Sequence, residues 1–409
     1  MFLKKSFLGL FFFSVWGTVI SQGEQLEITD QEYVQYTDAE TDEIFIENAT
    51  YGSLYSDLYR KNNNTYKSGV SKEYSDVSGK EEVEYALLLN LLTIRKNKSK
   101  NFSLHVLNIN SGFSDYAPSF YEKELVFASS RDVNSISKAY DANSNQPFLD
   151  LYTTNNKSDK ETIKKLKGGI NTKFHESSAA FTKDRKTVYF TRNNYYKRKS
   201  KRSEEGAILL KIYRAQYIDG KWDNVEELPF SSDEYSIAHP TLSPDGRLLY
   251  FASDMPGTLG KSDLYVVEIN RDGSFGKPVN MGDQINTEGR ETFPYVSDQG
   301  NLFFASDGHL GYGDLDIFMV LPDVDNNVGV YNLGAPINSP KDDFTFIINE
   351  ENKVGYFASN RRGSVGGDDI YGFEQLVSFP NHYDHKIKTI KKIERVLDLK
   401  PNEEEITSW

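Results

Sequence analysis

The stretch Leu302–Phe318, LFFASDGHLGYGDLDIF, occurs in altered form on either side of itself along the chain. Leu249–Tyr265 reads LYFASDMPGTLGKSDLY and Gly355–Tyr371 reads GYFASNRRGSVGGDDIY, so the three copies follow one another at intervals of 53 residues. Each copy begins with a short, continuous apolar run that ends in small and polar residues. That pattern is typical of a strand buried on both faces.

Two earlier copies are weaker: LVFASSR at Leu125–Arg131 and VYFTRN at Val188–Asn193. A second apolar run precedes each of the five cores, a third follows it, and a connector ending in Ile-Asn introduces four of the copies. A period near 50 with about four short strands per unit predicts a propeller blade, since one such sheet cannot bury both faces alone. We therefore expect an all-β fold, a five-bladed β-propeller of four-stranded antiparallel blades over residues 101–380.

The last copy lacks an outer strand, because the pattern ends after DDIYGFEQLVSFP. The first copy is preceded by NFSLHVLNIN at Asn101–Asn110, which resembles the outer strand and connector of the other copies. We expect this early segment to supply the fourth strand of the last blade. Closing the ring in this way removes a sheet edge that would otherwise invite aggregation.

The N-terminus has the pattern of a secretory signal peptide, predicted over residues 1–21. Lys4 and Lys5 precede the apolar run Phe7–Ile20, and small residues stand before Gln22. A retained N-terminal anchor is the alternative, and no later segment is long and apolar enough to cross a bilayer as a helix. With 0 Cys, an exported chain depends on its core rather than on disulfides. We expect a bacterial protein outside the cytoplasm, in the periplasm or associated with the outer membrane.

Three further segments flank the propeller. Residues 22–77 are predicted to be a flexible acidic arm, because no Lys or Arg occurs between Glu24 and Tyr59 while acids recur. Residues 78–100 are predicted to be a helix, with capping-box spacing at its start and a Leu-rich middle. Residues 381–409 are predicted to be a short amphipathic helix followed by a polar tail.

The net charge of −13 argues against a general nucleic-acid binder. The absence of cysteine excludes a thiol nucleophile, and no nucleophile elbow or phosphate loop occurs. None of the 6 His forms a metal-binding pattern, so we expect no cofactor and no catalytic residues. A weak calcium candidate is the series Asp323, Asp325 and Asn327, in which the glycine comes one place late and the bidentate Glu is missing.

Two residue series recur with the repeat. Gly260, Gly313 and Gly366 occupy the turn between the second and third strands, where we expect glycine to supply positive φ. Aspartates open the third strand, and we expect them to accept turn N–H groups or to pair with the neighbouring blade, a structural role. These aspartates are Asp150, Asp263, Asp316 and Asp369.

In a four-stranded blade, the connectors and the loops between second and third strands emerge on one face. We hypothesise a polar binding face there, because loops on a rigid scaffold often carry binding residues. The basic run Lys197–Arg202 lies in one of these loops, as a solvated loop or as a contact for an acidic partner or the chain's own acidic arm. The proposed binding residues are Arg131, Arg192, Asn360, Arg361 and Arg362.

The segments INSGFSDYAPSFYEKELVFASSRD, PFLDLY, VYFTRNN and LKIYRA resemble the TolB/WD-type propeller repeats of bacterial envelope proteins. More specifically, they resemble the propeller of Bacteroidetes OmpA-family proteins, in which tetratricopeptide helices precede the propeller and an OmpA-like domain follows. The resemblance covers Asn101–Phe379 and implies the propeller and the envelope compartment. After Pro380 no counterpart of the peptidoglycan-binding domain is expected, so the resemblance does not imply a cell-wall anchor.

The sequence thus predicts a monomeric, non-enzymatic protein-interaction scaffold of the cell envelope, with an accessory role in envelope assembly or type IX-like secretion. Its expected partners are envelope proteins and not nucleic acids. A glycan- or peptide-binding module is the alternative, although 3 Trp in the whole chain count against a sugar lectin. A propeller hydrolase or lyase is the third possibility.

Overall fold

The structure is a computed structural model, and it describes ten ranges of the chain. Within them the chain forms 26 β-strands and no α-helix, so none of the described residues belongs to a helix that could span a membrane. The chain divides into two units, Met1–Val70 and Ser71–Trp409. The predicted helices over 78–100 and 381–409 lie outside the described residues. The described ranges are 18–21, 24–27, 33–37, 44–48, 101–131, 140–141, 144–155, 162–197, 199–322 and 328–379.

The first unit contains two antiparallel strand pairs. Strand β1 (Thr18–Ser21) pairs with β2 (Glu24–Glu27), and β3 (Tyr33–Thr37) pairs with β4 (Ile44–Asn48). Strand β1 falls at the end of the predicted signal peptide, and the other three fall in the predicted acidic arm. Export, cleavage and flexibility of this region stay predictions.

The described residues of the second unit form five four-stranded antiparallel sheets, as predicted, and one two-stranded hairpin. The first four follow one another along the chain, each running from an innermost to an outermost strand. The fifth takes its outermost strand from the beginning of the unit. Blade 1 is β6 (Asp115–Tyr121), β7 (Glu124–Ser129), β8 (Asp150–Asn155) and β9 (Thr162–Lys165); blade 2 is β10 (Glu176–Phe181), β11 (Thr187–Asn193), β14 (Leu210–Ile218) and β15 (Lys221–Glu227). Blade 3 is β16 (Ile237–Leu242), β17 (Leu248–Ser253), β18 (Asp263–Glu268) and β19 (Val279–Asn280); blade 4 is β20 (Glu291–Val296), β21 (Leu302–Ser306), β22 (Asp316–Pro322) and β23 (Val328–Asn332); blade 5 is β24 (Asp343–Asn349), β25 (Val354–Ser359), β26 (Asp369–Gln375) and β5 (Phe102–Val106).

The innermost strands close a ring. Each of β6, β10, β16, β20 and β24 contacts the innermost strand of the next blade, and β24 contacts β6 in turn. Hydrophobic side chains fill the space between blades, so each sheet hides its faces against its neighbours. The repeat phenylalanines Phe251, Phe304 and Phe357 are almost completely buried there. The predicted five-bladed propeller is therefore confirmed.

The closing strand is β5, as the sequence predicts. It pairs antiparallel with β26 over the register Tyr371↔Val106 to Gln375↔Phe102. The ring of Phe102 is buried edge-on against Phe373, with ring centroids 5.5 Å apart. Apolar packing and a strand ladder together hold the two ends of the ring.

Every innermost strand contains a bulge at the same place. The register shifts by one residue in each case, and one non-glycine residue of each bulge has a left-handed backbone. Such bulges bend a strand and redirect its side chains. The five left-handed residues, with φ between 44° and 57°, are Ala117, Ser178, His239, Phe293 and Thr345.

We predict that Phe102→Ala lowers the free energy of unfolding by about 3 kcal/mol, because it removes a buried ring from the closing strand. The matched control on the same strand is Val106→Ala, whose side chain is 56% exposed and should change stability by no more than about 0.5 kcal/mol. Denaturant melts of both variants measure the difference. Equal losses would show that the closing strand is not held by its buried face.

Candidate functional site

The connector asparagines join four of the five blades to the blade before them. The side chain of Asn110 accepts a hydrogen bond from the backbone N–H of Ile370 and donates one to its carbonyl, each at 2.9 Å. The amide thus imitates a strand residue and pairs with the third strand of the preceding blade. Each carboxamide satisfies one backbone N–H and one backbone carbonyl of that third strand, which would otherwise be buried without a hydrogen bond. The same paired contacts link Asn171 to Leu151, Asn286 to Leu264 and Asn338 to Ile317.

A buried acid follows each of these asparagines by five residues. In blade 4, Glu291 accepts the backbone N–H and the hydroxyl of Thr287, each at 2.7 Å, and the hydroxyl of Ser306 at 2.7 Å. These contacts lock the connector onto the start of the innermost strand. The four acids, all with 0% exposure, are Asp115, Glu176, Glu291 and Asp343.

Three arginines of the predicted binding face neutralise three of these acids. The ion pairs are Arg131–Asp115 at 2.5 Å, Arg192–Glu176 at 2.9 Å and Arg361–Asp343 at 2.5 Å. Each guanidinium also donates to the carbonyl of the connector isoleucine and lies over two aromatic rings of its own blade. The arginines therefore clamp the connector to the blade rather than extend into solvent.

The five residues predicted to form a binding face differ in accessibility. Arg131, Arg192 and Arg361 have side-chain exposures of 12%, 3% and 16% and are held in the contacts just described. Asn360 pairs through its amide with Asp342, while Arg362 is exposed. Arg192 is therefore buried and Arg131 and Arg361 are half-buried, and binding of a partner by the five residues stays a prediction.

In blade 4 a histidine takes the place of the arginine. The Nε2 atom of His309 lies 2.7 Å from the carbonyl oxygen of Ile285, the connector isoleucine of that blade. Its ring packs on Phe304 and Phe318, as the guanidinium does in other blades. Sequence reasoning missed this role, although His309 follows the FAS core by only three residues.

The repeated aspartates accept hydrogen bonds from the turn that precedes them. Asp369 accepts the backbone N–H of Val365 at 2.5 Å and that of Gly366 at 3.0 Å. Asp263 and Asp316 make the corresponding contacts, and burial raises the pKa of Asp316 well above its usual range. Asp150 pairs instead with Lys165 at 2.5 Å. Asp263, Asp316 and Asp369 thus accept the turn N–H groups as expected, whereas the ion pair of Asp150 lies within its own blade.

The structure requires glycine at the three repeated positions for a different reason from the one predicted. Gly260, Gly313 and Gly366 do not have positive φ. A Cβ atom at each position would instead collide with backbone carbonyls of the next connector, for example Ser111 O at 2.7 Å from a Cβ on Gly366. The expectation of positive φ is wrong, because glycine is required here by the close approach of two blades.

The seam between blades 2 and 3 is built differently. Lys211 takes the place of the repeated aspartate, and its ammonium group lies 2.6 Å from both Glu227 and Asp233. The pKa of Asp233 is lowered to about 2, chiefly because Lys211 donates a hydrogen bond to its carboxylate. This seam lacks the Ile-Asn connector, so a buried cation with two carboxylates replaces the asparagine contact.

A central cavity of about 560 Å³ lies along the ring axis, lined by the innermost strands. It opens on the face of the turns between first and second strands, opposite the connectors. All five left-handed bulge residues line it: Ala117, Ser178, His239, Phe293 and Thr345. Its walls continue through apolar residues and the prolines Pro118, Pro240 and Pro294.

The inner wall of this cavity carries neutral polar groups. Ser178 Oγ lies 2.9 Å from His239 Nδ1, and the His239 ring packs against Phe293 at a centroid distance of 3.7 Å. Burial lowers the pKa of His239 to about 3, so its ring is neutral at ordinary pH. The Oγ1 atom of Thr345 is buried without a hydrogen-bond partner within the described ranges.

Charged residues lie at the mouth of the cavity. Asp184 accepts hydrogen bonds from Thr182 Oγ1 at 2.7 Å and from the Lys186 backbone N–H at 3.0 Å, and Asp245 makes the same turn with Ser243 and Arg247. Both carboxylates therefore shape turns. Lys183 and Asp298 complete the charged rim.

The described ranges contain no group of three or more His, Asp or Glu side chains arranged to hold a metal ion. The calcium candidates Asp323, Asp325 and Asn327 lie outside these ranges. Calcium binding by these three residues therefore stays a prediction from the sequence pattern.

No family model and no curated protein matches the chain. Among solved structures, TolB from Acinetobacter baumannii is 13% identical, with 85% of this chain and 76% of that chain covered and a TM-score of 0.37. The putative TolB from Agrobacterium tumefaciens is 18% identical over 63% and 71%, with a TM-score of 0.33. An alpha-L-arabinofuranosidase from Lactobacillus brevis is 9% identical over 68% and 98%, with a TM-score of 0.40.

These neighbours include both TolB proteins and a hydrolase, and all of them are distant. Their activities, ligands and partners therefore do not transfer to this chain. The function has to be argued from its own residues.

We predict that Gly260→Ala lowers the free energy of unfolding by about 1 to 3 kcal/mol, because the new methyl group forces two blades apart. Gly112→Ala is the matched control, since a Cβ at that position meets nothing within 4 Å. Thermal melts compare the two variants. An unchanged melting temperature for Gly260→Ala would contradict the close-approach explanation.

Two buried glutamates should respond oppositely to neutralisation. Burial raises the pKa of Glu176 to about 7 in spite of Arg192, so Glu176→Gln should cost about 3 kcal/mol at pH 8, where it leaves the buried Arg192 without its counter-charge, and less as the pH falls below 7. Glu291 has no such arginine, and burial raises the pKa of Glu291 to about 7.

A raised carboxyl pKa means that the native state binds the proton more tightly, so stability falls as pH rises from about 4.5 to about 7. Glu291→Gln should abolish this fall and become progressively more stable relative to the parent chain between pH 5 and pH 8. Chemical denaturation across that range measures both variants. Parallel pH profiles for Glu291→Gln and the parent chain would contradict the assignment.

Proposed function

We propose that this chain is a non-enzymatic interaction module that receives a segment of a partner protein in its central cavity. The observation that carries the proposal is the chemistry of the cavity: apolar and proline walls with a few neutral polar groups. Concave, mostly apolar sites with a few placed polar groups are the usual form of binding pockets. The half-buried His239 side chain, which lines the cavity, offers a hydrogen bond to an entering backbone.

Binding fits this cavity better than acid–base catalysis does. A general base works best with a pKa near the operating pH, whereas burial lowers the pKa of His239 to about 3. The rim carboxylates Asp184 and Asp245 are engaged in their own turns. Glu291, whose pKa is raised to about 7, lies in a seam between blades and is bonded to Thr287 and Ser306.

The envelope is the proposed compartment, and envelope proteins are the proposed partners. The predicted signal peptide and the resemblance of the repeats to envelope propellers support this location. A ring closed by one early strand gives a rigid frame that presents a binding site without rearranging. In this role the protein acts as an accessory to envelope assembly or secretion.

A small-ligand module, for a short peptide or a glycan, is the second candidate. The cavity volume of about 560 Å³ favours it, since pockets for small ligands commonly enclose about 300 to 1,000 Å³. Both candidates use the same cavity. They differ in whether the bound species is part of a protein.

The test is affinity capture from envelope extracts with the full chain and two Ala→Arg variants. Ala180 lines the cavity, so Ala180→Arg places a charged side chain inside it, whereas Ala207→Arg changes an exposed residue of the connector face. We expect Ala207→Arg to retain a stoichiometric protein partner and Ala180→Arg to lose it at least about tenfold.

Thermal melts first establish that both variants fold. Equal capture of the partner by Ala180→Arg would overturn the assignment of the cavity as the binding site. Retained oligosaccharide or peptide in place of a protein, lost in the same variant, would favour the second candidate.

A further inference from the structure

A second exposed surface lies on the connector face of blade 2. The loop between β11 and β14 contains a small hairpin of β12 (Tyr195–Tyr196) and β13 (Lys199–Ser200). Beside it lies the connector residue Lys173. The side chains of Lys173, Lys197 and Lys199 are all exposed.

Three aromatic rings form the base of this surface. Phe174 lies between Phe148 and Tyr195, with centroid distances of 5.7 Å and 4.9 Å. All three rings are half-buried. His175 packs on Phe148 at 4.7 Å and accepts the backbone N–H of Leu149 at its Nδ1 atom, so the stack is tied to blade 1.

Lys173 is held over this aromatic base. Its Nζ atom lies 5.4 Å from the centroid of Phe174 and 5.5 Å from that of Tyr195. An ammonium over two ring faces is attracted by their quadrupoles, which restricts the position of a side chain that is otherwise flexible. The cation is thus placed before any partner arrives.

The hairpin is fixed at its base. The backbone N–H of Lys201 donates to the carbonyl of Asn194 at 3.1 Å, and the Asn194 side chain donates to Asp233 at 2.8 Å. Asp233 is in turn bound by the buried Lys211 at 2.6 Å. These hydrogen bonds connect the hairpin that carries the exposed lysines to the seam between blades 2 and 3.

The charge of this surface is opposite to that of the whole chain. Arg202 is also exposed, although its guanidinium bonds to the Gly206 carbonyl at 2.6 Å. The neighbouring acids include Asp141, whose carboxylate lies 3.6 Å from His175 Nε2, and Asp233, which is paired with Lys201 and Lys211. Glu204, Glu205 and Glu234 are further acids of this region and are exposed. A cationic surface on a chain of net charge −13 selects for an acidic partner and against its own copies.

We propose that the surface formed by Lys173, Phe174, Tyr195, Lys197 and Lys199 binds an acidic, extended peptide segment of a partner protein. Carboxylates of the segment pair with the three ammonium groups, and apolar or aromatic side chains of the segment pack against ring edges that Lys173 does not cover. The site is distinct from the central cavity, which opens on the opposite face. It does not depend on the function proposed for that cavity.

The geometry favours a peptide over a glycan or a membrane. Lys173 covers faces of Phe174 and Tyr195, so these faces are not free platforms for stacking a sugar ring. The rings are half-buried and their apolar area is small, whereas membrane attachment through a basic surface gains from apolar side chains that enter the lipid. Clustered ammonium groups beside an aromatic base suit an acidic peptide that carries aromatic residues.

The test is fluorescence anisotropy with the full chain and a labelled peptide of about ten residues, roughly 33 Å when extended, rich in Glu with two Tyr. The test variant combines Lys173→Glu, Lys197→Glu and Lys199→Glu. The matched control combines Lys123→Glu, Lys277→Glu and Lys353→Glu, three exposed lysines outside this surface. Both change the net charge equally, so a difference between them reports the site and not the overall field.

We expect the test variant to weaken binding of the peptide at least about tenfold and the control about twofold or less. Binding of the parent chain should fall as ionic strength rises from about 0.05 M to about 0.5 M, because exposed charges are screened. Tyr195→Ala should weaken binding severalfold with the salt dependence retained. Thermal melts establish that each variant folds.

Three results would overturn the proposal: no binding of the peptide, equal losses in the two triple variants, or binding to vesicles containing phosphatidylglycerol in place of the peptide. Because Ala180→Arg leaves this surface intact, it should bind the acidic peptide like the parent chain. The capture experiment therefore tests the cavity proposal, and the peptide-binding experiment tests this one independently.

Discussion

The ring depends on a side-chain amide that imitates a peptide group. In four of the five seams an asparagine, such as Asn338 against Ile317, pairs with the third strand of the blade before it. For this pair to form, the two blades have to approach so closely that the turn at Gly313 has no room for a Cβ atom. The buried acids and the arginines then lock the connector in place. The fifth seam satisfies the same requirement with Lys211 and two carboxylates.

This requirement decides which polar residues are available for function. Many charges of the connector face, including Arg192 and Glu176, are used to hold blades together and are buried in doing so. The two proposed recognition sites lie elsewhere: inside the ring, where the bulges place Ser178 and His239, and on the hairpin of blade 2. The interior offers neutral hydrogen bonds and the hairpin offers cations. The two sites would accept chemically different partners.

The sequence could predict the blades, because burial repeats with the 53-residue period, and the closing strand, because Asn101–Asn110 has the pattern that the last copy lacks. It could not predict what the repeated polar residues touch. Their partners belong to the next copy in space, as when Gly260 meets Thr287. No sequence pattern predicts the cavity. The residues that line it are as different as Ala117 and Phe293, and what these two share is a left-handed backbone conformation, which does not depend on one residue type.

The placement of the closing strand also decides how the ring responds to mechanical load. The chain enters the ring at Phe102 and leaves it at Gln375, and these two residues face each other at the same end of the β5–β26 ladder. Tension applied to the two flanking segments would act across the strand hydrogen bonds and not along the strands. The bonds would break one pair at a time, as in a zipper, at far lower force than shearing would need. Tension on either end would thus detach the closing strand β5 from blade 5, while the strand pairing of the other four blades stays intact.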